Sequence, residues 1–180
     1  GAYFTFDAKT LTEMIDDAAD MGLEMFVLDD GWFGNKYPRN DSNAGLGDWQ
    51  VNAKKLPEGI DYIASYAHQK GMKFGIWIEP EMVNPKSELF EKHPDWAIPR
   101  SELAEKHPDW IVKAGNREIP RMRNQWLLDL SNPKVQDFVF SVFDNTMKLS
   151  PNIDYIKWDA NRHVENAGSE YLPEDKQSHF

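Results

Sequence analysis

Near its end the chain reads DYIKWDANRH, Asp154 to His163, an apolar run that delivers Lys157, Asp159 and Arg162 to one place. In a strand alternate residues share a face, so Tyr155, Lys157 and Asp159 point one way and Ile156 and Trp158 the other. Lys157 and Asp159 then lie roughly 6–7 Å apart. At an effective dielectric near ~20 they attract by roughly 2–3 kcal/mol before solvent screening. The sign matters more than the size: an ammonium keeps aspartate ionised, as a carboxylate nucleophile has to be. The same residues also fit an ordinary ion pair at a strand end. A second acidic pair, Asp29 and Asp30, stands in FVLDDGWFGN. Adjacent carboxylates cannot both face one side of a regular strand, so the chain has to bend there, and Gly31 permits it. Such a pair can hold two neighbouring hydroxyls of a sugar, or simply form a solvated turn. Trp49, in LGDWQV, offers either a ring to stack on a pyranose or a piece of core. Arg123, in RNQ just before an apolar run, is either a surface charge or a partner for a hydroxyl or the nucleophile.

The elements that position these groups follow from periodicity. Leu11, Met14, Ile15 and Ala18 repeat at helical spacing in DAKTLTEMIDDAADMG, with Asp7 as N-cap and Gly22 as stop. Ile60, Ile63, Ala64 and Ala67 form a second such stripe closed by Gly71. Val135, Phe138, Val139 and Val142 form a third, capped by Asn132 with Pro133 at the first helical position. Between the helices lie short apolar runs, Ala2–Phe6, Glu24–Asp30, Lys73–Pro80, Trp126–Leu130 and Asp154–Asp159. Strands that are apolar throughout belong to parallel sheets covered on both faces. The predicted class is therefore α/β, with about five parallel strands and alternating helices. Four of the runs end in acid: Asp29-Asp30, Glu79, Asp129 and Asp159. Acidic tips gathered at the carboxyl ends of parallel strands describe the mouth of a (β/α)₈ TIM barrel, here a partial one. The doubly wound alternative lacks a glycine-rich phosphate turn after its first strand.

Composition narrows the chemistry. The chain has 180 residues, 41% of them hydrophobic, enough for a core of ordinary domain size. A formal net charge of −10 and no basic cluster argue against nucleic acid and favour a neutral polar ligand. Without cysteine there is no disulfide frame or thiolate metal site, which fits the cytoplasm. No apolar run is long enough for a membrane helix. The five histidines show no metal spacing, so no metal or other cofactor is expected. There is no serine elbow, and DSNAGLGD lacks the spaced carboxylates of a calcium loop. Asn40-Asp41-Ser42 is a sequon without an accompanying secretion signal.

One segment is written twice. PKSELFEKHPDWAI at 85–98 is followed at once by PRSELAEKHPDWIV at 99–112, with ten of fourteen positions identical. Solenoids need about three copies or more, so the pair reads as a duplication lengthening one loop. A second ligand site built from the paired His-Pro-Asp-Trp stretches is the alternative.

Taken in order, FVLDDGWFG, GLGDWQVN, GIWIEPEMVNP, RNQWLLDLSNP and YIKWDANRH resemble the bacterial α-galactosidases of the melibiase type, glycoside hydrolase family thirty-six. The resemblance runs along almost the whole chain. It implies a (β/α)₈ barrel and retaining hydrolysis of terminal α-galactosides such as melibiose and raffinose. By that likeness Asp159 is the nucleophile, Asp29 and Asp30 grip galactose, Trp49, Arg123 and Lys157 bind the sugar, and Asn161 lines the site. In the two-carboxylate scheme an acid/base partner lies ~5–5.5 Å from the nucleophile. The resemblance puts that partner on a later strand, beyond Phe180, so residues 1–180 are expected to be a fragment of the barrel, weakly active or inactive alone. Open barrel edges also predict self-association. Two other functions fit the same residues: a galactosyl-transferring transglycosylase, and a non-catalytic folding or assembly unit with an idle site.

Overall fold

The computed structural model describes residues 2–96, 124–161, 168–169 and 171–179. Helix α1 (Ala8–Asp20) begins where the Asp7 carboxylate accepts the Thr10 backbone N–H at 2.8 Å, and it buries Leu11, Ile15 and Ala18. It stops at Gly22, whose φ of +73° lets Leu23 reverse and donate to the Ala18 carbonyl. Strand β1 (Met25–Leu28) follows. Helix α2 (Gly59–Gln69) buries the expected stripe Ile60, Ile63, Ala64 and Ala67, and strand β2 (Lys73–Ile78) is buried from its second residue on. Strand β3 (Met82–Val83) and helix α3 (Glu88–Lys92) come next. Strand β4 (Trp126–Leu127), helix α4 (Pro133–Met147) and strand β5 (Tyr155–Trp158) complete the order. Asn132 caps α4 by accepting the Lys134 N–H, with proline in its first turn.

The parallel α/β class is as the apolar runs predicted, and β1, β2 and β5 form one sheet in the order β1-β2-β5. The strand count is smaller: three parallel strands among the described residues instead of about five. Trp126–Leu130 contributes only β4, which runs antiparallel to β3, pairing Leu127 with Met82 and Trp126 with Val83. An apolar run that pairs with a short antiparallel strand is indistinguishable by pattern from a sheet interior. Ala2–Phe6 forms no strand either. The half-buried Lys55 ammonium takes its Phe4 carbonyl (3.0 Å) together with those of Gly31 (2.7 Å) and Arg39 (3.0 Å).

Two apolar cores result. One lies between α1, α2 and the sheet, built on Leu11, Ile15, Ile60, Ile63, Phe74, Ile76 and Ile78. The other joins α3 and α4 to the short antiparallel pair through Val83, Leu89, Trp126, Leu128, Val135 and Val139. The described part of the first duplicated copy, 85–96, belongs to this second core. There Leu89 is buried, and the Trp96 ring stacks on His93 at 3.8 Å and packs on Phe138. The second copy, 99–112, lies outside the described residues, as does Arg123. Among the described residues no helix is long and apolar enough to cross a membrane.

Candidate active site

Parallel register turns three strands into rows of side chains. Val27, Gly75 and Tyr155 are level. A Cβ built on Gly75 would stand 3.1 Å from both the Val27 and the Tyr155 side chains, so this row shares one face of the sheet. Two residues further along each strand, the same face carries Asp29, Trp77 and Lys157. One step more brings Glu79 beside Asp159, whose N–H continues the ladder by donating to the Ile78 carbonyl at 2.9 Å. The charged tips are therefore gathered at the carboxyl ends of all three parallel strands, on one rim.

Within that rim the pairing differs from the sequence expectation. The Lys157 ammonium lies 2.8 Å from Asp29 Oδ2, spanning β1 to β5, rather than against Asp159. Both partners are partly open to solvent, so a ligand can reach them. Hydrogen bonding to Asp29 raises the Lys157 ammonium above its ordinary value, against desolvation. Asp159 is kept charged chiefly by other groups. Burial pushes its carboxyl up, yet hydrogen bonds from the Trp77 indole and the Asn161 side chain, the Ala160 N–H, and last the charge of Lys157 hold it below the usual value. The Trp77 Nε1–H donates to Asp159 Oδ2 at 3.0 Å. Replacing Trp77 by phenylalanine keeps a ring in place and removes this donor. The Asp159 carboxyl should then move up toward its ordinary range, with about 1–2 kcal/mol of stability lost, as read by carbon-13 titration of the carboxyl and by urea unfolding.

Asp29 and Asp30 diverge as the bend at Gly31 requires, with φ +116° there and the Asp30 N–H closing on Asp29 Oδ1 at 2.8 Å. Asp30 turns inward. Both of its oxygens accept from Arg39, at 2.9 Å from Nε and 2.7 Å from Nη2. The remaining Arg39 nitrogen, Nη1, donates to the Ala44 carbonyl (3.2 Å) and Asn84 Oδ1 (3.0 Å), and Arg39 is 0% exposed. Asn84 is itself saturated, accepting also from Leu46 N and donating to the Ser42 and Asn124 carbonyls. Asp30 is thus fixed by a buried bidentate ion pair.

Trp49 stands in an aromatic cluster, 4.5 Å from the Phe33 ring and 6.0 Å from those of Trp32 and Trp77. Its indole nitrogen is buried without a hydrogen-bond partner among the described residues. The Trp49 ring is partly buried in that cluster. Asn161 donates its backbone N–H to Glu79 Oε1 at 2.7 Å, which ties the turn after β5 to the end of β2. Trp158, on the opposite face from Lys157, donates its indole N–H to Glu81 at 2.7 Å.

The structure therefore brings Asp29, Lys157, Asp159 and Asn161 together and sets Asp30 and Trp49 immediately beside them. Arg39 and Trp77 were not singled out from sequence, and Glu79 was read only as an acidic strand tip without a role of its own. Trp77 and Glu79 carried a signal, since alternate residues of GIWIEPE share the face that ends at the acidic rim. Arg39, inside YPRND, carried none. Among the described residues no cluster of three or more histidine, aspartate or glutamate side chains is arranged to hold a metal.

The chain is similar to known proteins along its length. The sequence model of the melibiase family matches residues 1–101 and again 98–180. Alpha-galactosidase 1 of Pediococcus pentosaceus is 41% identical over 175 residues, spanning 97% of this chain and 21% of that protein. The crystal structure of the family-36 α-galactosidase AgaA from Geobacillus stearothermophilus superposes with a TM-score of 0.82 at 40% identity, over 98% of this chain and 22% of the other. A substituted form of AgaA in complex with raffinose gives a TM-score of 0.80 at 40% identity, over 97% and 22% of the two chains. The chain spans about a fifth of the length of these relatives.

Proposed function

Because the chain belongs to the melibiase family, we propose that it carries the galactose-holding rim and the nucleophile of a retaining α-galactosidase acting on raffinose-type oligosaccharides. The observation that carries this reading is the Asp159 carboxylate, held in its charged form at the end of β5, on the same rim as the Asp29–Lys157 pair. In the proposed reaction Asp159 attacks the anomeric carbon as the aglycone oxygen leaves, and water then hydrolyses the galactosyl ester. Asp29 accepts from sugar hydroxyls while Lys157 donates to them. Asp30, Trp49, Arg123 and Asn161 complete the proposed grip. A cytoplasmic site of action belongs to the same reading.

Leaving-group departure needs a second, protonated carboxyl at about 5–5.5 Å from the nucleophile. The carboxyls around Asp159 among the described residues are otherwise engaged: Asp29 on Lys157, Asp30 on Arg39, Glu81 on Trp158, and Glu79 fully buried. We therefore expect this chain to bind galactose but to turn over a p-nitrophenyl α-galactoside far more slowly than a full-length enzyme. Calorimetric titration with galactose tests the first half, with Asp29→Asn lowering affinity by about tenfold. Unchanged affinity in that variant, or turnover at a full enzyme's rate, overturns the corresponding half.

Self-association is part of the proposal. The outer edges of β1 and β5 have no strand partner among the described residues, and Met25, Tyr155 and Trp158 are exposed along them. Light scattering is expected to give dimers or larger species; a monodisperse monomer at high concentration refutes this.

A further inference from the structure

Glu79 is 0% exposed, yet only one of its carboxyl oxygens is used. Oε1 accepts the Asn161 N–H at 2.7 Å, and Oε2 has no hydrogen-bond partner among the described residues. The groups facing it are themselves acidic: Glu81 from the turn between β2 and β3, and Asp159 from the end of β5. Lys157, on the same rim among the described residues, is taken by Asp29. An ionised carboxylate here would be a dry, half-unpaired charge beside two others, an expensive arrangement. We infer that Glu79 is a positioning residue for Asp159, clamping the turn 159–161 through the Asn161 backbone and doing so as the neutral acid. This deepens the reading above and rests on it for its functional meaning.

The electrostatics agree with the geometry. Desolvation first, and then the charges of Glu81 and Asp159, raise the Glu79 carboxyl from 4.5 to about 7 against the hydrogen bonds from Asn161. Below that value the clamp is neutral and the turn holds Asp159 in place. Above it, Glu79 ionises, is repelled by Glu81 and Asp159, and the turn loosens. Sugar affinity should therefore fall on the alkaline side through a group that never touches the sugar.

The test uses the 180-residue chain with carbon-13 glutamate and nitrogen-15 backbone. The Glu79 carboxyl, assigned by its loss in Glu79→Gln, is expected to titrate near 7, and the Asn161 amide resonance to follow the same midpoint. In Glu79→Gln, which keeps the acceptor for Asn161, that amide should stay still with pH. In Asp159→Asn the Glu79 midpoint should move down. Galactose affinity should drop by about tenfold across this midpoint in the wild type and by less than about twofold in Glu79→Gln. A Glu79 midpoint in the ordinary carboxylate range, an Asn161 amide that still titrates in Glu79→Gln, or pH-independent galactose affinity each overturns the proposal. If galactose fails to bind at any pH while the carboxyl and the amide titrate together as described, the clamp stands and it is the sugar-site reading that fails.

Discussion

Arg39→Ala is expected to destabilise the fold by about 3–5 kcal/mol. The guanidinium is fully buried and makes two charge-assisted bonds to Asp30 and further bonds to Ala44 and Asn84. Removing it leaves Asp30 as an uncompensated, largely buried carboxylate and frees an acceptor position on Asn84, whose other bonds hold Leu46, Ser42 and Asn124. Lysine is a poor substitute, since a single ammonium cannot reach both Asp30 oxygens and Asn84 in the planar geometry that arginine supplies. Urea unfolding of Arg39→Ala, Asp30→Asn and the double variant is the measurement. The double variant should cost clearly less than the two single losses added together, because each single change strands the other partner. A loss below about 1 kcal/mol for Arg39→Ala would mean that this pair does not organise the β1 exit.

The second large effect concerns pH. Glu79 has its folded-state value raised from 4.5 to about 7, so the folded chain binds a proton more tightly there than the unfolded chain. The stability it contributes is fully present below 4.5 and is lost as the pH rises through about 7. A shift of this size corresponds to about 3 kcal/mol. Glu79→Gln has no proton to lose and keeps the hydrogen bond to Asn161. Relative to wild type, the glutamine variant should therefore gain about 3 kcal/mol between pH ~4.5 and pH ~8, every other titrating group being shared by the two proteins. Unfolding midpoints measured along that pH series would overturn the assignment if the two profiles ran parallel.

Much of the scaffold was legible before any coordinates. The α2 stripe is buried throughout, the α1 and α4 stripes are buried apart from the exposed Met14 and the half-buried Phe138, the Asp7 and Asn132 caps make their predicted bonds, and Gly22 ends α1. Those are local features, decided within a few residues. The apolar runs of β1, β2 and β5 were also readable as parallel strands, although only β2 is buried almost throughout, while Met25, Tyr155 and Trp158 on the outer strands are exposed. Ala2–Phe6 and Trp126–Leu130 misled for one reason: an apolar run says that a segment is buried and leaves open against what. The first is held by Lys55 and the second pairs with β3. The candidate site divides in the same way. Asp29, Asp159 and Lys157 were found at strand tips. That Lys157 chooses Asp29 over Asp159 depends on the order of strands, which no local pattern contains. Arg39 and Glu79 act through partners 45 and 82 positions away, Asn84 and Asn161, and such contacts leave no trace in spacing.

The Asp29–Lys157 pair joins residues 128 positions apart, while α1, β1, α2 and β2 are consecutive. Contacts between neighbouring segments close at little entropic cost, and distant ones close late. During synthesis the first two strands can settle against their helices well before Tyr155 exists. Asp159 then arrives at the end of β5, already next to the Trp77 indole whose N–H it accepts. Assembly order thereby spares a half-made polypeptide the carboxylate that we propose as nucleophile.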